Sequence, residues 1–234
     1  MSDVLALTGI HTFIGQFHIL EGVEFTVPAG SITVLLGRNG AGKTTTLRTI
    51  MGMTPPTQGS VEFDGQRLNA RSTHDIARMG IGYVPEHRAI FRELTVTENL
   101  RISERKRGDL AQTEQFIFDL FPDLKRLSHL RGGSLSGGQQ QMLAIARALV
   151  PHNRLLLIDE PSEGLAPVII EQLMAAIRQL AADKTVLLVE QNYRVASRLA
   201  DRYVIIDDGH SVQAGMMADL VRDEATVQRY LGVA

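Results

Sequence analysis

The sequence predicts an α/β fold built on a mainly parallel sheet, and three observations support this prediction. Short apolar runs with the length of strands alternate with stretches whose apolar residues recur at helical spacing. The run at 31–36 is almost continuously apolar, as expected for a strand that is buried on both faces of a sheet. A glycine-rich loop and a helix follow this run directly, which is the order that a parallel strand connection requires.

A helical stretch interrupts this alternation in the middle of the chain. Its apolar residues lie at helical spacing, and Ser136 stands where the N-cap of an amphipathic helix would be. We therefore expect one domain over residues 1–234, with a core formed by 1–88 and 151–234 and an inserted helical subdomain at about 89–150.

Each further element follows from a local pattern. Short apolar runs bounded by glycine, proline or aspartate predict strands, and longer runs with helical spacing predict helices. The predicted strands are 4–7, 23–27, 31–36, 61–63, 155–158, 186–189 and 203–206. The predicted helices of the core are 43–51, 168–180 and 193–200, and a last helical stretch ends near Leu231.

Composition and charge exclude several classes of protein. The 24 basic and 26 acidic side chains give a net charge of −2, which argues against nucleic acid as a partner. The absence of cysteine excludes disulfides and thiol chemistry. No apolar run approaches the ~18–20 residues that cross a bilayer, and the N-terminus lacks the basic segment of a signal peptide. We expect a soluble chain that meets a membrane only through a partner.

The segment from Gly37 to Thr44 matches the phosphate-binding pattern G-x-x-x-x-G-K-[ST] and follows a predicted strand. Its glycines let backbone N–H groups converge on phosphate oxygens, and the following helix adds its positive dipole end. Lys43 can reach the β- and γ-phosphates, and the Thr44 hydroxyl can bind Mg²⁺. The nucleotide-binding residues predicted here are Gly37, Arg38, Asn39, Gly40, Ala41, Gly42, Lys43, Thr44 and Thr45.

Two carboxylates stand at the end of the predicted strand 155–158. Asp159 is placed to hold Mg²⁺ through its water shell, and Glu160 is placed to polarise the attacking water. An isolated Asp-Glu pair is commonly no more than a strand end. Downstream of a phosphate-binding loop and of the Ser-Gly-Gly-Gln segment at 136–139, the pair predicts the hydrolytic part of a site that takes a nucleotide and Mg²⁺.

The segment from Leu135 to Gln139 has two interpretations. A serine before two glycines and an amphipathic helix is a good N-cap and needs no other role. The Ser136 hydroxyl and the backbone N–H groups of Gly137 and Gly138 would also suit an anion at a helix N-terminus. The local pattern leaves both interpretations open.

Taken with the phosphate-binding loop upstream, this segment resembles the signature of the ATP-binding cassette (ABC) family. Within that family, the chain is similar to the ATP-binding subunits of branched-chain amino acid importers, and those of urea and short-chain amide importers are closely similar. The segments that carry the resemblance are 36–46 (LGRNGAGKTTT), 82–88 (GYVPEHR), 94–100 (LTVTENL), 135–139 (LSGGQ), 159–167 (DEPSEGLAP) and 189–192 (VEQN). The resemblance covers the whole chain and implies an ABC ATPase core of the P-loop class, with an antiparallel β edge and an inserted helical subdomain.

Three positions depart from the usual pattern of this family. The family usually has glutamine where Glu86 stands, histidine where Gln191 stands, and an adenine-stacking aromatic residue where Ile14 stands. The resemblance implies that Glu86 approaches Mg²⁺ and that Gln191 donates a hydrogen bond to the γ-phosphate. It also implies that Ile14 contacts adenine without offering a π-face. The changes at Glu86 and Gln191 look like the pattern of the amino acid importers.

The resemblance further implies that two chains share each ATP site. The ATP on the phosphate-binding loop of one subunit would meet the segment Ser136 to Gln139 of a second subunit in a head-to-tail dimer. Permease subunits would contact the chain through about 85–100, and a periplasmic binding protein would act only indirectly. These features place the chain at the cytoplasmic face of the inner membrane as a peripheral ATPase of an importer. The favoured solutes are branched-chain amino acids, with urea or short amides also possible.

A soluble regulatory ABC ATPase is the alternative from another functional class. Such proteins usually carry two cassettes or a long coiled-coil insertion, and neither is found in this sequence.

Overall fold

The structure is a computed structural model that describes residues 2–232, and its strands form two sheets. In chain order the strands are β1 (Asp3–Ile14), β2 (Phe17–Pro28), β3 (Ile32–Leu36), β4 (Gln58–Phe63), β5 (Gln66–Arg67), β6 (Ile81–Val84), β7 (Leu155–Asp159), β8 (Thr185–Val189), β9 (Arg202–Asp207) and β10 (His210–Met216). The smaller sheet is antiparallel with the order β2-β1-β4-β5, and the larger has the order β10-β9-β3-β8-β7-β6.

The larger sheet is parallel except at one edge. Strands β9, β3, β8, β7 and β6 run parallel, and only β10 pairs antiparallel with β9. Every residue of β3, β7 and β8 is buried, which explains why these strands are almost continuously apolar in the sequence. The predicted α/β class with a mainly parallel sheet and an antiparallel β edge is confirmed.

The helices follow the order that the sequence predicts, with several additions. They are α1 (Lys43–Ile50), α2 (Thr73–Arg78), α3 (Val96–Arg101), α4 (Asp109–Leu120), α5 (Pro122–Arg126), α6 (Gly137–Leu149), α7 (Pro167–Leu180), α8 (Tyr193–Leu199), α9 (Met217–Leu220) and α10 (Glu224–Leu231). Within residues 2–232, no helix has the length and apolar character needed to cross a bilayer.

The core has two parts that meet at the parallel sheet. Alternate residues of β7 face opposite sides: Leu156 and Ile158 pack with the helices α3 to α8, whereas Leu155 and Leu157 pack against the antiparallel sheet. Burying one such side chain contributes about 1.5–3 kcal/mol to stability.

Helices α3 to α6 share one apolar cluster with the parallel sheet. Their contacts therefore do not separate the predicted helical subdomain from the core. The division into a core and a subdomain at about 89–150 therefore stays a prediction.

Four elements were not predicted. Strand β5 has two exposed residues, helix α2 buries only Ile76, and β10 alternates between exposed and half-buried positions, so none of these three has the apolar run on which the sequence prediction relied. Strand β6 is mostly buried, but Gly82 interrupts its apolar run, which is only four residues long. Strand β10 exists because its backbone pairs with β9 at the edge of the sheet, and side-chain burial contributes little to it.

Candidate functional site

The phosphate-binding loop connects β3 to α1, and its glycines adopt conformations that other residues avoid. Gly37, Gly40 and Gly42 all have positive φ, at 148°, 81° and 109°. A Cβ atom on Gly37 would lie 2.1 Å from the carbonyl oxygen of Ile206, so a side chain cannot fit there. Gly42 is the N-cap of α1 and supplies no capping side chain, which leaves the first N–H groups of the helix available to an anion.

Lys43 is held inside this loop. Its side chain is buried, and Nζ donates hydrogen bonds to the carbonyl oxygens of Gly37 at 3.0 Å and Arg38 at 3.1 Å. These bonds keep the ammonium group among the backbone atoms where phosphate oxygens would bind.

Asp159 lies at the end of β7 and is fully buried beside the start of α1. The Thr44 hydroxyl donates to Oδ1 at 3.1 Å, and the Tyr83 hydroxyl donates to Oδ2 at 3.5 Å. Burial disfavours the ionised carboxylate and raises the pKa of Asp159 to about 6, although the bond from Thr44 acts in the opposite direction. Thr44 and Asp159, both predicted from the sequence as metal-binding residues, are thus direct neighbours.

Glu160 leaves the strand in an unusual conformation. Its φ is 44°, which is uncommon for a residue other than glycine, and its N–H donates to the carbonyl oxygen of Val189 at 2.9 Å. This turn directs the carboxylate toward Lys43, whose Nζ lies 3.7 Å from Oε1. Burial raises the pKa of Glu160, and the positive charge of Lys43 opposes that shift.

One cleft of about 410 Å³ brings most of the predicted residues together. Its walls include residues from five separate parts of the chain. The lining residues are Ile14, Ile19, Asn39, Gly40, Gly42, Lys43, Thr44, Thr45, Glu86, Glu160, Glu163 and Gln191. Residues as far apart in sequence as Ile14 and Gln191 therefore face one space.

The donor groups in this cleft fit a small hard cation. No cluster of three or more His, Cys, Asp or Glu side chains that could hold a metal exists in the described part of the chain. The adjacent Thr44 hydroxyl and Asp159 carboxylate, with Glu86 on the cleft wall, are all oxygen ligands. Mg²⁺ binds to proteins through one or two such groups while phosphates and waters complete its shell. The residues present therefore fit Mg²⁺ bound together with a nucleotide.

One end of the cleft is aliphatic. Ile14 and Ile19 line it, whereas Phe13 packs elsewhere: its ring is stacked on that of His18, with centroids 4.2 Å apart and planes 4° apart. No aromatic ring belongs to the cleft lining among residues 2–232. The role of Ile14 in contacting adenine stays a prediction.

The segment around Ser136 lies outside this cleft. Ser136 caps α6, since its Oγ accepts the N–H of Gln139 at 3.3 Å and its own N–H donates to Gln139 Oε1 at 3.0 Å. The capping interpretation is confirmed. Ser136 and Gly137 are also exposed at the N-terminus of a long helix, as a site for an anion from another molecule would require. That second role stays a prediction.

The structure adds residues that the sequence did not single out. Tyr83 bonds to Asp159, and Ile19 and Glu163 line the cleft. Glu190, next to Gln191, is a buried acid. Tyr83 and Glu190 both lie in segments that carry the family resemblance, but only the fold shows where their side chains point.

This fold and cleft define an ABC-type ATPase. The sequence model described as "ABC transporter" matches residues 20–163, and the chain belongs to this family. Among curated relatives, it is 40% identical to the high-affinity branched-chain amino acid transport ATP-binding protein BraG of Pseudomonas aeruginosa, over 98% of this chain and 100% of that protein. It is 36% identical to the lipopolysaccharide export system ATP-binding protein LptB of Escherichia coli, over 92% of this chain and 91% of that protein.

Solved structures show the same fold. A nucleotide-free ATP-binding cassette from an ABC transporter superposes with a TM-score of 0.88 over 100% of both chains at 22% identity. A bacterial ABC transporter cassette solved as a dimer has a TM-score of 0.79 at 26% identity, covering 91% of this chain and 98% of that chain. The family match and this shared fold together identify the chain as an ABC transporter ATPase.

Proposed function

We propose that the chain is the ATP-hydrolysing subunit of an ABC importer for branched-chain amino acids, acting from the cytoplasmic face of the inner membrane. The observation that carries the ATPase role is the shared cleft, in which Lys43 and Glu160 stand at the phosphate-binding loop. The likeness to the Pseudomonas aeruginosa transport protein favours these solutes over urea and short amides.

The residues of the cleft have separate roles in hydrolysis. Lys43 and the loop N–H groups bind the phosphates, while Thr44, Asp159 and Glu86 hold Mg²⁺, which neutralises phosphate charge when bound. Glu160 accepts a proton from the attacking water. Gln191 donates its amide N–H to the γ-phosphate and stabilises the charge that develops there.

The site is completed by a second copy or a homologous subunit. Ser136, Gly137, Gly138 and Gln139 are absent from the cleft lining, although their helix N-terminus suits a phosphate. A head-to-tail dimer would bring this segment onto the ATP of the opposite subunit. The likeness to a cassette solved as a dimer supports this arrangement.

Permease subunits have a suitable docking groove on another face. A groove of about 300 Å³ lies between β6, at the edge of the parallel sheet, and α6, and Met53, Pro85, Arg88 and Ala89 line it. Part of the predicted contact segment at about 85–100 therefore faces this groove. Met53 is 44% exposed there, as an apolar contact for a membrane partner would be.

The substitution Met53→Glu tests this docking surface. We expect the variant to keep the basal ATPase rate, because Met53 does not line the nucleotide cleft, and to lose stimulation by reconstituted permease subunits. Met53→Leu is the matched control. Stimulation that survives the glutamate would remove this groove from the interface.

The importer assignment is tested by reconstitution. The chain, its permease subunits and their binding protein, reconstituted together, should take up leucine into proteoliposomes with ATP hydrolysis inside. The likeness to LptB favours a second candidate, the ATPase of a lipid exporter. That candidate would be supported by copurification with lipid-extracting partners and by an ATPase rate that is indifferent to amino acids.

A further inference from the structure

A buried carboxylic acid in the loop after β8 has no part in the mechanism described above. The side chain of Glu190 is 2% exposed. Its Oε1 accepts the N–H of Gln191 at 2.9 Å and the N–H of Asn192 at 2.8 Å. Its Oε2 is also buried, and within residues 2–232 no donor makes a hydrogen bond of normal geometry to it.

Burying a carboxylic acid lowers the stability of the fold unless its oxygens accept hydrogen bonds or pair with a cation. Desolvating a carboxylate without a paired cation disfavours its charged form. Burial accordingly raises the pKa of Glu190. The Asn192 N–H, the Ser162 hydroxyl and the Gln191 N–H oppose this shift, and the neighbouring charge of Glu160 reinforces it. No cation contributes to this balance. The two N–H groups bonded to Oε1 and the nearby Ser162 hydroxyl offset part of this cost.

The backbone around Glu190 is fixed on both sides. Upstream, the N–H of Glu190 donates to the carbonyl oxygen of Leu35 at 3.3 Å, which attaches this residue to the strand before the phosphate-binding loop. Downstream, the Asn192 side chain caps α8 by accepting the N–H groups of Arg194 at 3.1 Å and Val195 at 3.4 Å. Between these anchors, Gln191 is exposed and lines the cleft.

We propose that Glu190 is a positioning residue for ATP hydrolysis, whose Oε1 holds the Gln191–Asn192 turn so that the Gln191 amide faces the γ-phosphate. This inference rests on the role proposed for Gln191. Glu190 itself touches neither nucleotide nor water in the reaction. It acts through the two backbone N–H groups, and its effect should therefore pass entirely through Gln191.

Isosteric and truncated variants of Glu190 distinguish a role as hydrogen-bond acceptor from a role that needs its charge or proton. Glu190→Gln retains an oxygen that can accept both N–H groups, so kcat should stay within about threefold of wild type. Glu190→Ala removes the acceptor, and kcat should fall by about ten- to a hundredfold because Gln191 is misplaced. Glu190→Asp has the charge but a shorter reach and should lose most of the activity. KM for ATP should change less than about threefold in all three variants.

A double variant tests whether Glu190 affects kcat through Gln191. If Glu190 acts through Gln191, then Glu190→Ala should slow wild type but should not slow Gln191→Ala any further. Asp201→Ala is the matched control, since Asp201 Oδ2 accepts the N–H of Ile32 at 2.9 Å at the start of β3 rather than beside the cleft. That variant should lower the melting temperature and leave kcat unchanged.

The inference is overturned by wild-type kcat in Glu190→Ala or Glu190→Asp, or by additive losses in the double variant. Equal loss in Glu190→Gln and Glu190→Ala would also overturn it, because the charge or proton of the acid would then matter instead of its acceptor oxygen. If Glu190→Ala does not fold, the aspartate and glutamine variants decide the question. An inactive wild-type protein would contradict the proposed function instead, so the two failures are distinguishable.

Discussion

The ammonium group of Lys43 lies 3.7 Å from the Glu160 carboxylate, so the cation that would bind phosphate adjoins the proposed base. Lys43 Nζ also bonds to the carbonyl oxygens of Gly37 and Arg38. Entry of a phosphate would exchange these bonds for bonds to its oxygens. The positive charge of Lys43 counteracts the effect of burial on Glu160 and favours the ionised form that accepts a proton.

Glu160→Gln should nearly abolish hydrolysis while ATP still binds. The amide has the same shape but cannot accept a proton from water, and loss of a general base typically lowers the rate by about 10²–10⁴-fold. Phosphate release measures the rate, calorimetry measures ATP affinity, and size exclusion should reveal an ATP-bound dimer.

Glu163→Gln is the matched control for this substitution, because Glu163 lines the same cleft. Its rate should remain within a few-fold of wild type. Near wild-type hydrolysis by Glu160→Gln would show that Glu160 is not the base.

Ser136→Arg should preserve ATP affinity but remove activity, since this segment serves the ATP of the opposite subunit. Mixing this variant with Lys43→Ala protein makes the test sharper. A mixed dimer has one composite site with both motifs intact, so mixing two inactive proteins should restore part of the ATPase rate. Composite sites would be contradicted if no mixture regains activity while cross-linking shows that mixed dimers form.

Local sequence patterns were sufficient to predict those parts of the site whose residues are neighbours in the sequence. The loop from Gly37 to Thr44 must be rich in glycine because of its positive φ angles, and β3 and β7 must be apolar because they are buried on both faces. Both requirements restrict which residue types can occur at neighbouring positions, so they can be recognised in the sequence. The fold class and the strand that carries Asp159 were predictable for this reason.

Contacts between distant segments could not be predicted in the same way. The bond from Tyr83 to Asp159 spans 76 residues, and it depends on the pairing of β6 with β7. The burial of Glu190 likewise depends on packing around the end of β8, and a lone glutamate gives no sign of it. Strand β10 was missed because edge pairing, rather than an apolar run, stabilises it.

Asp159→Asn should stabilise the nucleotide-free, Mg²⁺-free protein at pH 8. The folded pKa of Asp159 is about 6, against 3.8 for the ordinary group, so its contribution to stability is present below about pH 4 and is lost as the pH rises through 6. The asparagine has no charge to bury, and the gain at pH 8 should be roughly 1–3 kcal/mol. Urea unfolding in EDTA at pH 5 and 8 measures it. The gain should shrink at pH 5, and an equal effect at both values would contradict the assigned shift.

Ile14→Tyr should tighten ATP binding. A tyrosine would place a π-face at the aliphatic end of the cleft, and aromatic stacking contributes about 0.5–1.5 kcal/mol beyond burial, equivalent to roughly a two- to twelvefold lower Kd. Ile14→Leu is the control and should leave Kd unchanged. The gain should appear for ATP but not for inorganic triphosphate, and equal changes for both would place Ile14 away from adenine.

Because Gln191 stands where the family usually has histidine, the pH dependence of hydrolysis should differ from that of a protein with histidine at this position. A glutamine does not titrate, so the wild-type rate should lack the ionisation that a histidine at this position would add near pH 6–7. Gln191→His keeps a hydrogen-bond donor, and its rate should survive but become more dependent on pH between about 6 and 8. Gln191→Ala should lose activity because the γ-phosphate loses a donor. Turnover at saturating Mg-ATP, measured across pH for the three proteins, decides the matter. If the alanine variant follows wild type at every pH, Gln191 takes no part in hydrolysis, and its equivalence to the histidine of the family is wrong.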